Sequence, residues 1–396
     1  LVIESEITEI TPRTQRYRGH DATALALRCS FEDVAALLWT GSLPEPRAGT
    51  GAGADPDGGA AGDAGVRRAG AGARDWQATV AALAAGRAAQ AGLPAGTLPL
   101  ERLQVIVPAL AATDQFRLQL DRPAVVAAGQ SLIAGMIGAL PVRRQAAPVS
   151  AGLGSAAPDT AGPGTAGPGT AGPDSAGPDE TGLTGPIAAR LATRLCAGPV
   201  PAGLVRVLNA ALVLLADHEM AASTLAARVA ASMRADPYAV VATGLGAMGG
   251  ALHGGAALGA ELMLSSATSA ADAPRVVGDL LRRGERLPGF GHFVYKDGDP
   301  RANLLLELVA AYAPTSPQLA VALAVTDEAR RRAVPEPNIE FALAVLAGVA
   351  GMIRGAGEAI FATGRTAGWL AHALEEYDRN TPIRPRGVYT GRAAVG

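Results

Sequence analysis

The sequence is short of the residues that mark several common classes of protein. Lys296 is the only lysine among 396 residues, and aromatic residues make up 4% of the chain. The net charge of −2 gives no electrostatic reason to expect nucleic acid or an anionic membrane as a partner. Cys29 and Cys196 stand far apart in apolar surroundings, so we expect buried, unreactive thiols and no disulfide framework.

Secretory signals and long hydrophobic runs are also scarce. The opening residues, LVIESEITEI, lack the pattern of a signal peptide. The longest weakly charged stretch, 239–260, is rich in glycine, and the apolar run at 341–353 is too short to span a bilayer. We therefore expect a cytoplasmic protein with no membrane segment.

The abundant residues favour helix. Hydrophobic residues make up 49% of the chain, and alanine, a strong helix former and weak strand former, supplies much of that. Residues 30–39 begin with Ser30 as an N-cap, and Asp33 can reach back to it. No pair of alternating runs indicates a hairpin, so we predict an all-α fold. Similar helical spacing occurs at 76–90, 101–113, 124–140, 186–196, 202–233 (interrupted by DHEMAAST), 316–332, 338–354 and 358–377.

Two segments do not have the composition of folded sequence. Residues 46–75 and 144–186 mix Gly, Ala, Pro and Asp, and the second contains GTAGPGTAGPDSAGP. With so few large apolar side chains, neither segment can offset the entropy of ordering its backbone. We expect both to be disordered surface loops.

Three of the five histidines, His218, His253 and His292, fall within the stretch 218–292. Glycines follow His253 directly and lie one and three positions before His292. A glycine beside a histidine lets the backbone approach a ligand closely or turn sharply to present the ring. These histidines are therefore candidates for catalysis rather than packing.

Other interpretations of this region are weaker. The second histidine of a zinc-binding H-E-x-x-H helix would fall on Ala222, so that motif is absent, although the three histidines could still gather around a metal. GLGAMG at 244–249 matches G-x-G-x-x-G, but no second strand follows to form a dinucleotide-binding unit. No P-loop lysine is present either.

The residues after His292 point to a carboxylate substrate. Lys296, Asp299 and Arg301 follow it closely, and an arginine fork suits a carboxylate because it donates two parallel hydrogen bonds. Further along the chain lie Glu340, Arg365 and Arg384. Together with neutral histidines, this set suits proton abstraction beside a carbonyl, stabilisation of an enol and binding of a polyanionic acceptor.

The order of these motifs resembles the citrate synthase family. The segments that carry the likeness are RYRGHDATALALRCSFEDVAALLWTGSLP, HEMAAST, LHGGAA, GFGHFVYKDGDPRA, PNIEF, GRTAGWLAHALEE and IRPRGVYTG. The resemblance extends over nearly the whole chain outside the two low-complexity segments. The resemblance implies an all-α homodimer with a large domain (1–253 and 349–396) and a small closing domain (254–348).

The resemblance also implies an activity. It is the condensation of acetyl-CoA with oxaloacetate to give citrate and free CoA, with no metal and no cofactor besides the substrates. A 2-methylcitrate synthase that uses propionyl-CoA is an alternative, and so is a catalytically impaired paralogue that binds ligand or regulates.

The family assigns roles to individual positions. By that likeness, oxaloacetate is bound by His218, Arg301, Arg365 and, from the neighbouring subunit, Arg384. His253 would stabilise the enol of the thioester, His292 would polarise the keto oxygen, and Lys296 would contact CoA phosphate. The family's catalytic base is an aspartate, and Glu340 stands in its place. The extra methylene moves the carboxylate oxygens by roughly 1 Å, and misplacement on that scale can cost about 100-fold in rate.

Overall fold

The computed structural model describes residues 2–45, 75–142, 183–250 and 255–392. Across these ranges the chain forms fifteen α-helices, a short 3₁₀ turn at Ala270–Asp272 and one small sheet. The predicted all-α fold is confirmed. Across the same ranges, no helix is both long and apolar enough to cross a membrane.

The helices follow one another through short connections in most of the described chain. Those of the first half are α1 Ala22–Arg28, α2 Phe31–Thr40, α3 Val80–Ala89, α4 Pro99–Ala111, α5 Arg122–Ala139, α6 Ile187–Leu195 and α7 Ala202–Leu215. Those of the second half are α8 Ala222–Ser232, α9 Pro237–Met248, α10 Gly255–Ser265, α11 Ala273–Arg282, α12 Pro300–Tyr312, α13 Pro317–Arg331, α14 Ile339–Val349 and α15 Ala356–Arg379.

The helix signals in the sequence are confirmed most clearly at α2. The Ser30 hydroxyl accepts from the Asp33 backbone N–H at 3.1 Å, and the Asp33 carboxylate accepts from the Ser30 N–H at 3.2 Å. The polar interruption predicted within 202–233 is the turn between α7 and α8. The end predicted for 338–354 was wrong: α14 stops at Val349, and Gly351 leaves the helix with a φ of +60°.

The expectation of no hairpin was wrong at the N-terminus. Strands β1 (Thr8–Ile10), β2 (Gln15–Tyr17) and β3 (His20–Asp21) form an antiparallel sheet in that order. Each strand has only two or three residues, which is too short for an alternating pattern to be visible in the sequence.

Several predictions fall where the structure describes little. The expected loops at 46–75 and 144–186 lie almost wholly outside the described residues, and so does His253.

Both cysteines are free thiols, but only Cys196 is fully buried, whereas Cys29 is half-buried. Burial raises the pKa of each thiol.

Helix α15 is the centre of the core. It is buried along almost its whole length and packs against α2, α5, α7, α8 and α9. On its α9 side, Gly244 has no Cβ, which leaves room for the Trp369 ring. Since α9 covers most of GLGAMG, this segment is helix and cannot form a dinucleotide-binding turn. Helices α10, α12 and α13 pack around α14, and α14 packs against α15.

Candidate active site

The loop between α11 and α12 carries His292 and is tied to the start of α14. Gly291 N–H donates to the Glu336 carbonyl at 2.8 Å, and Asn338 N–H donates to the Gly289 carbonyl at 2.9 Å. Gly289 and Gly291 have φ values of +81° and +77°, which favour glycine. A Cβ on Gly289 would also overlap Phe341. These glycines produce a sharp turn and a close approach to α14.

The hydrogen bonds of His292 fix its tautomer. Its Nδ1 accepts from the backbone N–H groups of Val294 at 3.0 Å and Tyr295 at 3.2 Å. The proton of the neutral ring is therefore on Nε2, which becomes a donor. Burial, followed by the charge of Arg301, lowers the pKa of His292 to about 4. The ring is thus neutral at physiological pH.

Three aromatic rings meet at this point. Tyr295 stacks on His292 with centroids 4.7 Å apart and planes at 25°, and His218 meets His292 edge-on at 5.2 Å. The centroids of His218 and Tyr295 are 5.7 Å apart. Burial raises the pKa of Tyr295 to about 12, so its phenol stays protonated. The structure therefore brings His218 and His292 together, although they are far apart in sequence.

Arg301 lies beside the donor nitrogen of His292. The Asp299 carboxylate engages its Nε at 2.9 Å and Nη2 at 2.7 Å, and both side chains are buried. Burial works to raise the pKa of Asp299, but the charge and hydrogen bonds of Arg301 outweigh it and lower that pKa. Arg301 Nη2 is 3.5 Å from His292 Nε2. Since both nitrogens carry protons, they form adjacent donors for neighbouring acceptors of one ligand.

Arg365 is a second buried guanidinium, placed on α15. Its Nε donates to the Leu215 carbonyl at 2.8 Å, and its side chain is 1% exposed. Burial lowers its pKa, and the charge of Asp217 works against that shift. Its Nη2 is buried and has no hydrogen-bond partner within the described residues. A buried donor of this kind needs a partner, and a carboxylate oxygen of a ligand would supply one.

Glu340 occupies the first turn of α14. The Asn338 side chain caps this helix, accepting from the N–H groups of Glu340 at 3.1 Å and Phe341 at 3.3 Å. Glu340 Oε2 is buried without a hydrogen-bond partner in the described chain. Burial raises the pKa of Glu340, and the Arg301 and Arg365 charges oppose the shift. A poorly solvated carboxylate next to two arginines has the character of a proton acceptor.

Of the remaining predicted residues, Lys296 lies at the edge of this group and Arg384 lies in the C-terminal tail. Lys296 is exposed, its Nζ donates to the His292 carbonyl at 3.1 Å, and it lies over the Phe293 ring. Arg384 is exposed in the tail after α15. His253 is not among the described residues.

Sequence reasoning missed the polar residues behind the site. Asp217 and His372 are fully buried and 3.2 Å apart, from Oδ2 to Nε2. Tyr295 lies within the sequence motif but had no role assigned to it. The available signals were that Asp217 directly precedes His218 and that His372 lies seven residues after Arg365, on the same helix face.

Known proteins are similar to this chain in sequence and in fold. The family described as "Citrate synthase, C-terminal domain" matches residues 1–386. Citrate synthase 2 of Bacillus subtilis is 38% identical over 190 residues, 47% of this chain and 51% of that protein. The chain thus spans about half the length of the curated relatives it matches first. A 2-methylcitrate synthase of Mycobacterium tuberculosis is 28% identical over 401 residues, covering 99% of this chain and 88% of the relative.

Solved structures agree on the fold. Citrate synthase from Thermoplasma acidophilum, in a ternary complex with carboxymethyl coenzyme A and oxaloacetate, superposes with a TM-score of 0.70. The match covers 100% of this chain and 95% of that one at 21% identity. The family match extends over nearly the whole sequence and agrees with the helical architecture. The chain therefore belongs to the citrate synthase family.

Proposed function

We propose that the protein is an acyltransferase that condenses acetyl-CoA with oxaloacetate to give citrate and free CoA. The observation that carries the proposal is that several hydrogen-bond donors and one carboxylate acceptor lie together in one buried site. His292 offers a neutral Nε2–H next to Arg301. Arg365 has an unpartnered buried N–H, and Glu340 has an unpartnered buried carboxylate oxygen within the described chain.

The donors suit a small keto-dicarboxylate. Oxaloacetate has two carboxylates and a keto oxygen, all of them acceptors, and arginine forks bind carboxylates well. Arg301 and Arg365, assisted by His218, would bind the carboxylates. The keto oxygen would then accept from His292 Nε2. Asp299 holds one edge of the Arg301 guanidinium, which fixes its orientation toward the substrate.

Glu340 would begin the reaction by taking a proton from the methyl carbon of acetyl-CoA, while His253 donates a hydrogen bond to the thioester oxygen. The resulting enol carbon forms a bond to the keto carbon of oxaloacetate. The keto oxygen takes a proton from His292 and becomes a hydroxyl, and the proton held by Glu340 returns to His292 by the end of the cycle. Water then cleaves the thioester, which releases citrate and CoA. The raised pKa of Glu340 favours the first step because it makes the carboxylate a stronger base.

The proposal includes closure of a small domain, 254–348, over the substrates and contact of Lys296 with CoA phosphate. Lys296 lies beside His292 and is exposed, so an anionic group could reach it. Closure would exclude water and so protect the enol. The proposal also places the protein in the cytoplasm, where free thiols such as Cys29 and Cys196 are maintained.

A homodimer with shared sites is part of the proposal. Helix α8 exposes Leu225 and Val229, and its C-cap residue Met233 is exposed four residues further on. Exposed apolar stripes of this kind are typical of protein interfaces. The tail that carries Arg384 is held on the same helix, because Ile383 N–H donates to Ser232 Oγ at 3.0 Å. Arg384 would therefore reach the active site of the partner subunit.

A second candidate substrate is propionyl-CoA. The relative that aligns over 99% of this chain is named a 2-methylcitrate synthase, which favours this candidate. The test is to follow CoA release with oxaloacetate and either thioester. Faster release with acetyl-CoA supports the main proposal, and faster release with propionyl-CoA favours the second. No release with either thioester, despite measurable binding of oxaloacetate, would leave only the catalytically impaired paralogue.

A further inference from the structure

One face of α15 is packed against the turn that carries His218. Arg365, Gly368 and His372 share this face because they are spaced three and four residues apart. Arg365 holds the Leu215 carbonyl at one end of the turn. Gly368 lies at the crossing, where a Cβ would overlap the Ala216 carbonyl and Asp217 Oδ1. The turn therefore lies directly on the helix.

His372 makes the third contact between α15 and the turn. The tautomer of its ring follows from its neighbours. Arg228 Nη1 lies 2.6 Å from His372 Nδ1. Because a guanidinium only donates, Nδ1 must accept, and the ring proton is on Nε2. That proton points to Asp217 Oδ2 at 3.2 Å. Arg228 is in turn held by Glu375 at 2.7 Å and by Glu376.

Asp217 connects His372 to the backbone around His218 through hydrogen bonds. Its Oδ2 also accepts from the Glu219 N–H at 3.1 Å and from Thr8 Oγ1 at 2.6 Å. The bond to Glu219 spans His218, and Glu219 has a φ of +52°, a strained value for a residue with a side chain. The carboxylate of Asp217 thus compensates for the strained turn that directs His218 toward His292.

We propose that Asp217 and His372 are a positioning pair that sets the orientation of His218 and thereby the affinity for oxaloacetate. This inference rests on the proposed function of the site. Both residues are buried behind the turn and act through His218. Binding groups must be held in place by residues behind them, because misplacement by roughly 1 Å can cost about 100-fold.

The test compares His372→Leu, which removes both ring nitrogens, with His372→Gln, whose amide can still accept from Arg228 and donate to Asp217. The matched control is His20→Leu at an exposed histidine on β3. Oxaloacetate binding is measured by calorimetry, and the KM for acetyl-CoA is measured separately. We expect His372→Leu to weaken oxaloacetate binding by roughly 10- to 100-fold. His372→Gln should restore most of the affinity, and the KM for acetyl-CoA should stay within about twofold, since an error in orienting one binding group is local.

A double-mutant cycle separates positioning from general stability. In a His218→Ala background, His372→Leu should have almost no further effect on oxaloacetate binding, because the residue it positions is gone. Equal losses with and without His218 would overturn the proposal. An unchanged oxaloacetate affinity in His372→Leu, with only a lower Tm, would also overturn it. If His372→Leu does not fold, Asp217→Asn takes its place in the same cycle.

These outcomes are distinct from failure of the proposed function. Calorimetry reports oxaloacetate binding without turnover. If the wild-type protein binds oxaloacetate but releases no CoA, the proposed reaction fails. The affinities of the His372 variants would still support or overturn the positioning pair in that case.

Discussion

The Asp299 carboxylate holds the Arg301 guanidinium in a bidentate ion pair, with Nε to Oδ1 at 2.9 Å and Nη2 to Oδ2 at 2.7 Å. The same Oδ2 accepts from the Ile339 N–H at 3.1 Å, at the first residue of α14. One carboxylate therefore orients both Arg301, which is predicted to bind substrate, and the helix that carries Glu340. Because the pair is buried, its geometry is protected from competition by water.

Asp299→Asn should lower the free energy of unfolding by about 3 kcal/mol, because an amide N–H would face the guanidinium and leave a buried charge unpaired. Urea denaturation measures the change. Asp297→Asn is the control because Asp297 is exposed. A loss no larger than that of the control would contradict the account.

This contribution should depend on pH. The pKa of Asp299 is lowered in the folded protein, mainly by Arg301 acting against burial. A lowered pKa gives stability that is fully present above the unfolded value and is lost as the pH falls through the folded value. The difference between wild type and Asp299→Asn should therefore shrink on acidification. A difference that grows at low pH would be inconsistent with the ion pair.

The pH profile of turnover gives a prediction for Glu340. Its pKa is raised above the ordinary value of 4.5 by burial, whereas that of His292 is lowered to about 4. A base must be deprotonated, so kcat/KM should fall on the acid side with a midpoint above 4.5. Measuring kcat/KM from acid to neutral pH decides this point. A midpoint at or below the ordinary value would argue against Glu340 as the base.

Much of this site could be predicted from the sequence, and the limits have physical reasons. His292 and Arg301 were identified from the glycines and the short motif around them, and Glu340 from its place in PNIEF, which resembles the family's catalytic segment. Asp217 and His372 meet only through the fold, 155 residues apart, so the sequence could suggest each residue by its place near His218 or Arg365 but could not show that the two are partners. The N-terminal sheet was missed because its strands are too short to show alternation.

Shared active sites predict complementation between inactive subunits. If Arg384 serves the partner's site, a mixture of Glu340→Gln and Arg384→Ala chains should recover about a quarter of wild-type activity, since half the random dimers are mixed and each has one intact site. The two variants are mixed, unfolded and refolded together. The release of CoA from acetyl-CoA with oxaloacetate then measures the recovered activity. No recovery, with mixed dimers demonstrated by mass spectrometry, would refute sharing.

The proposed interface can be tested on α8. Val229→Glu places a charge in the exposed stripe, where Val229 is 39% exposed, and should dissociate the dimer. Leu323→Glu on α13 is the control, because Leu323 is exposed elsewhere at 55%. Light scattering after gel filtration gives the mass of each variant. A Val229→Glu protein that remains dimeric would exclude this face.

The central claim is that Glu340 and the donors around His292 form one catalytic site. The most direct measurement follows CoA release from acetyl-CoA with oxaloacetate in wild type and Glu340→Gln, with the Kd for oxaloacetate determined by calorimetry on the same samples. We expect release by the wild type, none detectable from Glu340→Gln, and nearly equal Kd values, because the amide keeps the shape but cannot take the proton. Equal rates of release from both proteins would contradict the claim.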